Sequence, residues 1–344
     1  MLKKIVVISI LVIVVVIVTL CAVGYKMFYG SAVDREYKVV LEADDSYNEM
    51  IAKVKVGMDN HMAFDYYADH INLKNTIKPG RYTIKRGMTV MEIARMLKIG
   101  VRNTSRLVIN NTRTPEALAE KIASQLNFSS EDMRALLLDE AFVKEYGFDS
   151  PEAMFSIFLP NTYEVDSNIT PRGVVAYLSK ESDKFWAKSE NSERLAQLME
   201  TTPIKSSYDV MVLASIVYEE TKAEEEMARV AGVYINRLKK GWLLQADPTV
   251  KYALGDPTIK RVLNKHLEVE SPYNTYKHKG LPPTPIAMPD MAAIDAVLSY
   301  EHHDYFYFCA SPELNGLHNF AKTLKEHNRN ADAYHRAIDK LKKD

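Results

Sequence analysis

The sequence predicts an α+β protein: one N-terminal transmembrane helix, then a small α/β subdomain, then a larger mixed α+β domain. Three observations predict it. Ile5 to Val23 is an uncharged run of nineteen residues rich in Ile and Val. Beyond it, short alternating runs bounded by turn residues are interspersed with apolar stripes of helical period that carry N-cap signals. The strongest stripe, from Leu213 to Tyr234, runs abruptly into acid and then into the polar, Pro-containing segment LQADPTVKY.

The apolar run is close to the ~20 residues that a bilayer-spanning helix needs. Lys3 and Lys4 precede it, so the positive-inside rule puts residues 1–4 in the cytoplasm, 5–23 in the membrane and the rest outside. A cleaved signal peptide is the competing reading. The run is long for a signal's apolar segment, however, and no clear Ala-x-Ala site follows. A buried core helix fits less well, since the run is terminal and has no polar face. A length of 344 residues allows two domains. With 44 basic and 45 acidic residues, the net charge of -1 gives no electrostatic case for nucleic acid. Cys21 falls in the apolar run and Cys309 near the other end, so no internal disulfide framework is expected.

Residues 24–104 form the membrane-proximal region. Gly24 to about Arg35 reads as a connector, Glu36 to Leu41 as a strand, and Ser46 to Val56 as a helix with Met50, Ile51 and Val54 inward. PGRYTIKRG reads as a strand between turns. Thr89 to Glu92 is a capping box, Val90, Ile93, Ala94 and Leu97 make the apolar face, and Gly100 suits the C-cap. Residues 105–344 form the larger domain. Arg106 to Asn110 is a strand; Thr114-Pro115, Ser129 and Ser150-Pro151 open helices. Pro171 to Met199 is helical. Ser271 to Pro289 is too Pro-rich for one continuous helix. Met291 to Ser299 is a helix, and Tyr305 to Ala310 pairs with HNF across the Asn315-Gly316 turn.

Chemistry concentrates at Leu213 to Tyr252. On one helix, Leu213, Ile216, Glu220, Ala223, Met227, Val230, Ala231 and Tyr234 share a face, with Glu220 near its middle. Glu219 lies toward the edge, and Glu225 and Glu226 point away. A carboxyl on an apolar face is desolvated, which raises its pKa and lets it hold a proton to donate near neutral pH. The alternative is a solvated acidic face pairing with Arg229. A break after Glu220 is also compatible with the pattern. After the helix, Gln245, Asp247, Thr249 and Tyr252 supply hydrogen-bonding groups suited to a sugar. His302, His303 and Asp304, with His318 and His327 downstream, invite a metal reading, but no HEXXH signature accompanies them. No P-loop and no GxSxG motif is present.

The blocks LASIVYEET, VAGVYINRL, LLQADPTVKYALG, SPYNTYKHKGLPPTPIAMP and GLHNFAKTLKEHN, preceded by FLPNTYEV, resemble in order those of the endolytic murein transglycosylases, the MltG or YceG-like family. The resemblance implies a membrane-anchored lytic transglycosylase. Such an enzyme cleaves nascent peptidoglycan strands between N-acetylmuramic acid and N-acetylglucosamine, leaves 1,6-anhydro ends and terminates strand elongation. It implies a catalytic domain over 105–344 and a LysM-like subdomain at about 77–104, which either binds glycan or acts as a spacer. The family often carries Glu-x-Glu where this chain has Tyr218, Glu219 and Glu220, so the catalytic acid falls to Glu220. Substrate contacts are expected from Gln245, Asp247, Thr249, Tyr252, Tyr273, Asn274, Thr275 and His318. No cofactor and no metal is expected. The partners expected are glycan strands, the membrane and, at family level, wall-synthesis proteins. Phe155-Ser156 stands where Glu-Gly is common and Asn161 where Asp is usual. Two other readings stay open: a hydrolytic muramidase using Glu220 and Asp247, and a non-catalytic peptidoglycan-binding protein.

Overall fold

The computed structural model describes residues 2–42, 45–100, 104–167, 169–256, 259 and 261–341. Met1 and residues 101–103, at the edges of the expected 1–4 and 77–104 segments, lie outside the described residues. The fold is mixed α+β. Two compact units comprise residues 1–104 with 166–168, and residues 105–165 with 169–344.

In the smaller unit, helix α1 (Leu2–Tyr29) continues past the apolar run, so the connector expected from Gly24 begins as helix. Leu11–Tyr29 is long and apolar enough to cross a membrane, and none of that stretch is buried. β1 (Tyr37–Leu41) is followed by α2 (Tyr47–Lys55), α3 (His61–His70), β2 (Gly80–Ile84) and α4 (Val90–Ile99). β1 and β2 are antiparallel, with Tyr37 opposite Ile84 and Leu41 opposite Gly80. Strand alternation turns Val39, Leu41, Tyr82 and Ile84 inward against Ile51, Val54, Phe64, Ile93 and Leu97. Reciprocal capping boxes, Ser46 with Glu49 and Thr89 with Glu92, fix the starts of α2 and α4. Gly100 ends α4 at φ 84°, a conformation glycine adopts without Cβ strain. α3 had no counterpart in the sequence reading. Asn60 before it is left-handed and makes no side-chain cap.

The larger unit opens with β3 (Thr104–Ile109) and four short helices, α5 (Pro115–Ala123), α6 (Ser130–Leu137), α7 (Glu140–Glu145) and α8 (Pro151–Met154). Thr114, Ser129, Asp139 and Ser150 cap them. β4 (Asn161–Asp166) pairs with β3. Phe155, Phe158, Tyr163 and Val165 are core residues here, packed with Leu107, Leu118, Phe142 and Val174, and Ser156 is buried among them. The Phe155-Ser156 pair and the apolar residues of the FLPNTYEV block therefore belong to packing, whereas Asn161, Thr162 and Glu164 are exposed. The helix expected over 171–199 is two, α9 (Pro171–Ala187) and α10 (Ser189–Thr201), broken at Lys188. Asn191 donates to Phe185 O across the break, satisfying one of the carbonyls it exposes.

The second core is built around α11 (Ser207–Glu220), whose residues Val210 to Val217 are all buried. A helix apolar all round must be surrounded. α12 (Glu224–Lys239), α13 (Asp247–Leu254) and α14 (Met291–Leu298) supply the surroundings. The Pro-rich segment threads between them without helix. Ile286 N–H donates to Ser215 Oγ at 3.0 Å, and Met288 N–H donates to Thr112 O at 2.8 Å. Gly232 lets α12 approach the chain after α14, because a Cβ there would lie 2.4 Å from Glu301 O. The hairpin of β5 (Tyr307–Ala310) and β6 (His318–Ala321) sets Tyr307 opposite Ala321. α15 (Leu324–Leu341), also absent from the sequence reading, packs beside it.

Candidate active site

The stripe drawn on one helix is two helices. α11 ends at Glu220, Thr221 is extended (φ -141°, ψ 145°), and α12 starts three residues later. Thr221 stabilises the break at both ends. Its N–H donates to Val217 O at 3.1 Å, closing α11. Its hydroxyl accepts from Ala223 N–H and donates to Glu226 Oε1 at 2.7 Å. The acidic first turn of α12, Glu224 to Glu226, suits the positive end of a helix dipole. The bend turns α12 back along α11, and Tyr234 Oη donates to Glu220 Oε1 at 2.6 Å. Glu220 and Tyr234 thus meet through tertiary folding, not through helical spacing.

Glu220 is half-buried and lines a cleft of about 350 Å³. Burial by the surrounding protein is the largest influence on its carboxyl and raises the pKa to about 7. The Tyr234 hydrogen bond opposes this, Asp247 adds to it, and Arg237 and Lys251 pull it back. Glu220 also ends α11, where the helix dipole disfavours negative charge. The result is a carboxyl that can be protonated at neutral pH, as a general acid must be.

The cleft faces Glu220 with a second carboxylate. Asp247, first residue of α13, accepts a hydrogen bond from Tyr276 Oη at 2.7 Å. Burial, reinforced by Asp247, holds the Tyr276 hydroxyl above its usual range. Gln245 beside it is exposed and left-handed (φ 49°), a conformation uncommon outside glycine and asparagine. Arg237 lines the cleft with its guanidinium tied to Phe306 O and Leu244 O. Tyr307 and Phe308 of β5 and Leu324 and His327 of α15 complete the wall. His327 stacks on Tyr307 at 5.5 Å, and its Nδ1 is buried without a partner. Burial and the nearby Arg237 lower its pKa.

The sequence profile of the YceG-like family matches residues 39–333. The chain belongs to the YceG-like family. An endolytic murein transglycosylase of Bacillus subtilis is 31% identical over 287 residues, 79% of this chain and 77% of the relative. A Streptococcus pneumoniae protein of the same name is 25% identical over 304 residues, 80% of this chain but 54% of that longer relative. Among solved structures, a yceG-like protein of Listeria monocytogenes aligns over 86% of this chain and 98% of its own. Its TM-score is 0.54 and its identity 26%.

In this YceG-like chain the fold brings Glu220, Gln245 and Asp247 to one cleft. It uses other expected sugar contacts internally. Thr249 and Thr275 are buried with their hydroxyls 2.8 Å apart, and Thr275 also accepts from Ala246 N–H. Asn274 is buried and donates to Leu267 O and Val269 O. These three hold the cleft wall from behind. The Tyr252 and Tyr273 rings meet at 4.7 Å, tilted 54° to each other, and Tyr273 bonds Thr284; neither lines the cleft. His318 is taken by Glu226, to which its Nδ1–H and N–H donate at 2.6 and 2.9 Å.

That pairing corrects the placing of Glu226, which is buried rather than turned to solvent. The acidic residues do not form one solvated face. Arg229 pairs with Glu301, and Glu219 pairs with Arg113 at 2.6 Å and Lys222 at 3.6 Å. In the histidine cluster, His303 Nε2–H donates to Arg229 O and Nδ1 accepts from Tyr305 N–H. Among the described residues, no group of three or more His, Cys, Asp or Glu is placed to hold a metal.

Sequence reasoning did not select Tyr234 as a partner of the acid, nor Arg237, Tyr307, Phe308 or Leu324; Tyr276 does stand out in the sequence beside Tyr273, Asn274 and Thr275 as a stacking and hydrogen-bonding group, and His327 only in the discounted metal reading. A signal existed for Arg237, an arginine one turn beyond Tyr234 on a stripe otherwise apolar. Tyr307 and Phe308 carry none, since both read as ordinary strand residues.

Proposed function

We propose that the chain is an endolytic peptidoglycan lytic transglycosylase, a carbon–oxygen lyase that cuts glycan strands between N-acetylmuramic acid and N-acetylglucosamine and so ends their elongation. Glu220 is its catalytic acid. The observation that carries this reading is the Glu220 carboxyl itself: enclosed by protein, raised to about 7, held by one tyrosine, and open to a polar cleft. Membership of the YceG-like family and the names of its relatives support the substrate class.

The protonated acid gives its proton to the departing glycosidic oxygen as positive charge builds at the anomeric carbon. The Glu220 carboxylate left behind takes the proton of the muramic acid's C6 hydroxyl. That oxygen attacks the anomeric carbon and closes the 1,6-anhydro ring, so one carboxyl serves both steps and no water is consumed. The tethered hydroxyl has a large effective-concentration advantage over outside water. Tyr234 steadies Glu220 once it is charged. Asp247, held by Tyr276 in the same cleft, stabilises the positive charge developing on the sugar, while Gln245 and Arg237 supply donors to the glycan.

Asp247 also sustains a second reading, a hydrolase in which it activates water opposite Glu220. Product analysis on purified full-length protein and isolated sacculi decides. Anhydromuramyl ends support the lyase, reducing muramic ends the hydrolase, and intact strands a binding protein. We further read α1 as a single-pass anchor with its N-terminus cytoplasmic, residues 24–104 as the membrane-proximal part with its LysM-like strand and helix, and 105–344 as the catalytic part. A C-terminal reporter active in the cytoplasm would overturn that topology. Wall-synthesis proteins are the partners this placement favours, and cross-linking in cells tests them.

A further inference from the structure

Trp242 is the feature that the cleft chemistry leaves unexplained. It sits in the turn after α12, directly following Gly241, and is 44% exposed. A single exposed hydrophobic residue is ordinary on a protein surface; what sets Trp242 apart is its setting beside the cleft wall. The side chain is nevertheless not loose. Its ring lies 5.0 Å from Phe306 and 6.2 Å from Tyr307, and its backbone N–H donates to Arg237 O at 2.9 Å. Arg237 in turn is tied to Phe306 O and Leu244 O, with its guanidinium 5.7 Å from the Tyr307 ring. Tyr307 and Arg237 both line the cleft that holds Glu220. Aromatic contacts, the rings tilted to one another, therefore lead from the cleft wall to an exposed indole outside it.

We propose that Trp242, backed by Phe306 and Tyr307, is a stacking platform for one N-acetylhexosamine ring of the strand beyond the cleft. The inference rests on the glycan reading above and adds to it a subsite. A pyranose with equatorial substituents presents a face of axial C–H bonds. Those polarised hydrogens sit on the electron-rich face of an aromatic ring, whose quadrupole is negative there. An indole gives the largest such face and loses little side-chain freedom when already packed on one edge. An enzyme that cuts inside a strand must grip sugars distant from the broken bond, and a platform outside the cleft does that without touching the reacting atoms.

The chain has two tryptophans, so Trp186→Phe leaves Trp242 as the only indole in the full-length protein. Long glycan strands are expected to blue-shift its emission and shield it from acrylamide. Fragments that fill only the cleft should leave it unchanged. In kinetics, Trp242→Ala is expected to raise KM for long strands by about five- to tenfold, the scale of one aromatic contact. It should leave kcat and short-fragment cleavage unchanged, because the lost binding is equal in ground and transition states. Trp242→Tyr should recover most of the loss. Emission indifferent to long strands, or an Ala variant equally impaired on short and long substrates, overturns the platform. Should Trp242→Ala fold poorly, the emission arm still reads the native indole. A parent protein that makes no anhydro ends refutes the proposed reaction, whereas one that makes them while Trp242 stays silent refutes the platform alone.

Discussion

Two carboxylates, Glu220 half-buried and Glu226 buried, lie six residues apart on either side of the α11–α12 break, and they are held in opposite ways. Glu226 is saturated: it accepts from the Thr221 hydroxyl, from His318 Nδ1–H and from His318 N–H, all within 2.9 Å. Those donors tie the break to β6. Glu220 accepts one side-chain hydrogen bond, from Tyr234, and its remaining side opens on the cleft. Burying charge is costly unless hydrogen bonds compensate. Glu226 is compensated and fixes structure. Glu220 is under-compensated, so the proton returns to it near neutral pH, which suits an acid. The two differ in the donors they accept and in what they face: Glu226 is sealed in the interior, whereas Glu220 opens on the cleft.

The comparison breaks first at Glu220. Glu220→Gln keeps the shape and removes the proton, so glycan cleavage should fall by about 10²–10⁴-fold, the usual worth of a general acid–base group. Stability should move the other way. The native state keeps a proton up to about pH 7 that an ordinary glutamate, near 4.5, releases in the unfolded chain. The native state thus binds more protons in that window, and stability falls as pH rises through it. The Gln variant should lose this slope and melt at higher temperature than the parent above pH 7. Lost activity with an unchanged or lower melting temperature at that pH would mean Glu220 is structural.

Glu226→Gln is expected to do the reverse. The amide presents hydrogens to groups that already donate, and hydrogen bonds to a charged group are worth roughly 1.5–3 kcal/mol. A melting temperature lowered correspondingly, with activity reduced only in proportion to loosening at Thr221, is the expected outcome. A fall in cleavage as deep as that of Glu220→Gln, in a fully folded variant, would transfer the chemistry to Glu226.

Two substitutions sharpen the electrostatics and should move the pH profile in opposite directions. On the proposed mechanism cleavage requires protonated Glu220, so the rate should decline as pH rises through about 7. Asp247→Asn removes a charge that raises the Glu220 pKa, and the alkaline limb should move to lower pH. Tyr234→Phe removes the hydrogen bond that lowers it, and the limb should move to higher pH. For a single-acid lyase, rates at the respective optima should fall by no more than about tenfold, below the general acid–base range. A far deeper loss confined to Asp247→Asn favours the hydrolase.

Much of the scaffold was legible because caps and turns are local chemistry. Thr89 with Glu92, Thr114-Pro115, Ser150-Pro151 and Asn315-Gly316 each declare an element within four residues. α3 escaped because Asn60 caps nothing. The site was legible only in part. Periodicity could place Glu220 among apolar residues, but it could not say that the chain reverses at Thr221, which is what brings Tyr234 to the carboxyl. Nor could it separate polar residues that face a ligand from those that face each other. Thr249 and Thr275 are as polar as Gln245 in sequence, yet they bury against one another across 26 positions. The far wall, with Tyr276, Tyr307 and His327, is assembled from segments whose own patterns are those of ordinary loop, strand and helix.

The smallest effect is expected at the neighbour of the acid. Glu219 shares the helix end with Glu220 and differs from it in what it faces. Its carboxylate pairs with Arg113 and Lys222, both of whose side chains are 60% exposed. Ion pairs with solvated partners contribute about 0–1 kcal/mol, because water and salt screen the attraction and two long side chains must be ordered. Glu219→Gln should therefore shift the melting temperature slightly, by an amount that shrinks further at high salt. Cleavage and its pH profile should stay near those of the parent. This variant removes a carboxylate one residue from Glu220 while leaving the cleft lining intact, so it separates loss of local negative charge from loss of the acid. If Glu219→Gln abolished anhydro-end formation as Glu220→Gln is expected to, proximity to α11's end would explain both, and the assignment of the acid to Glu220 would fall.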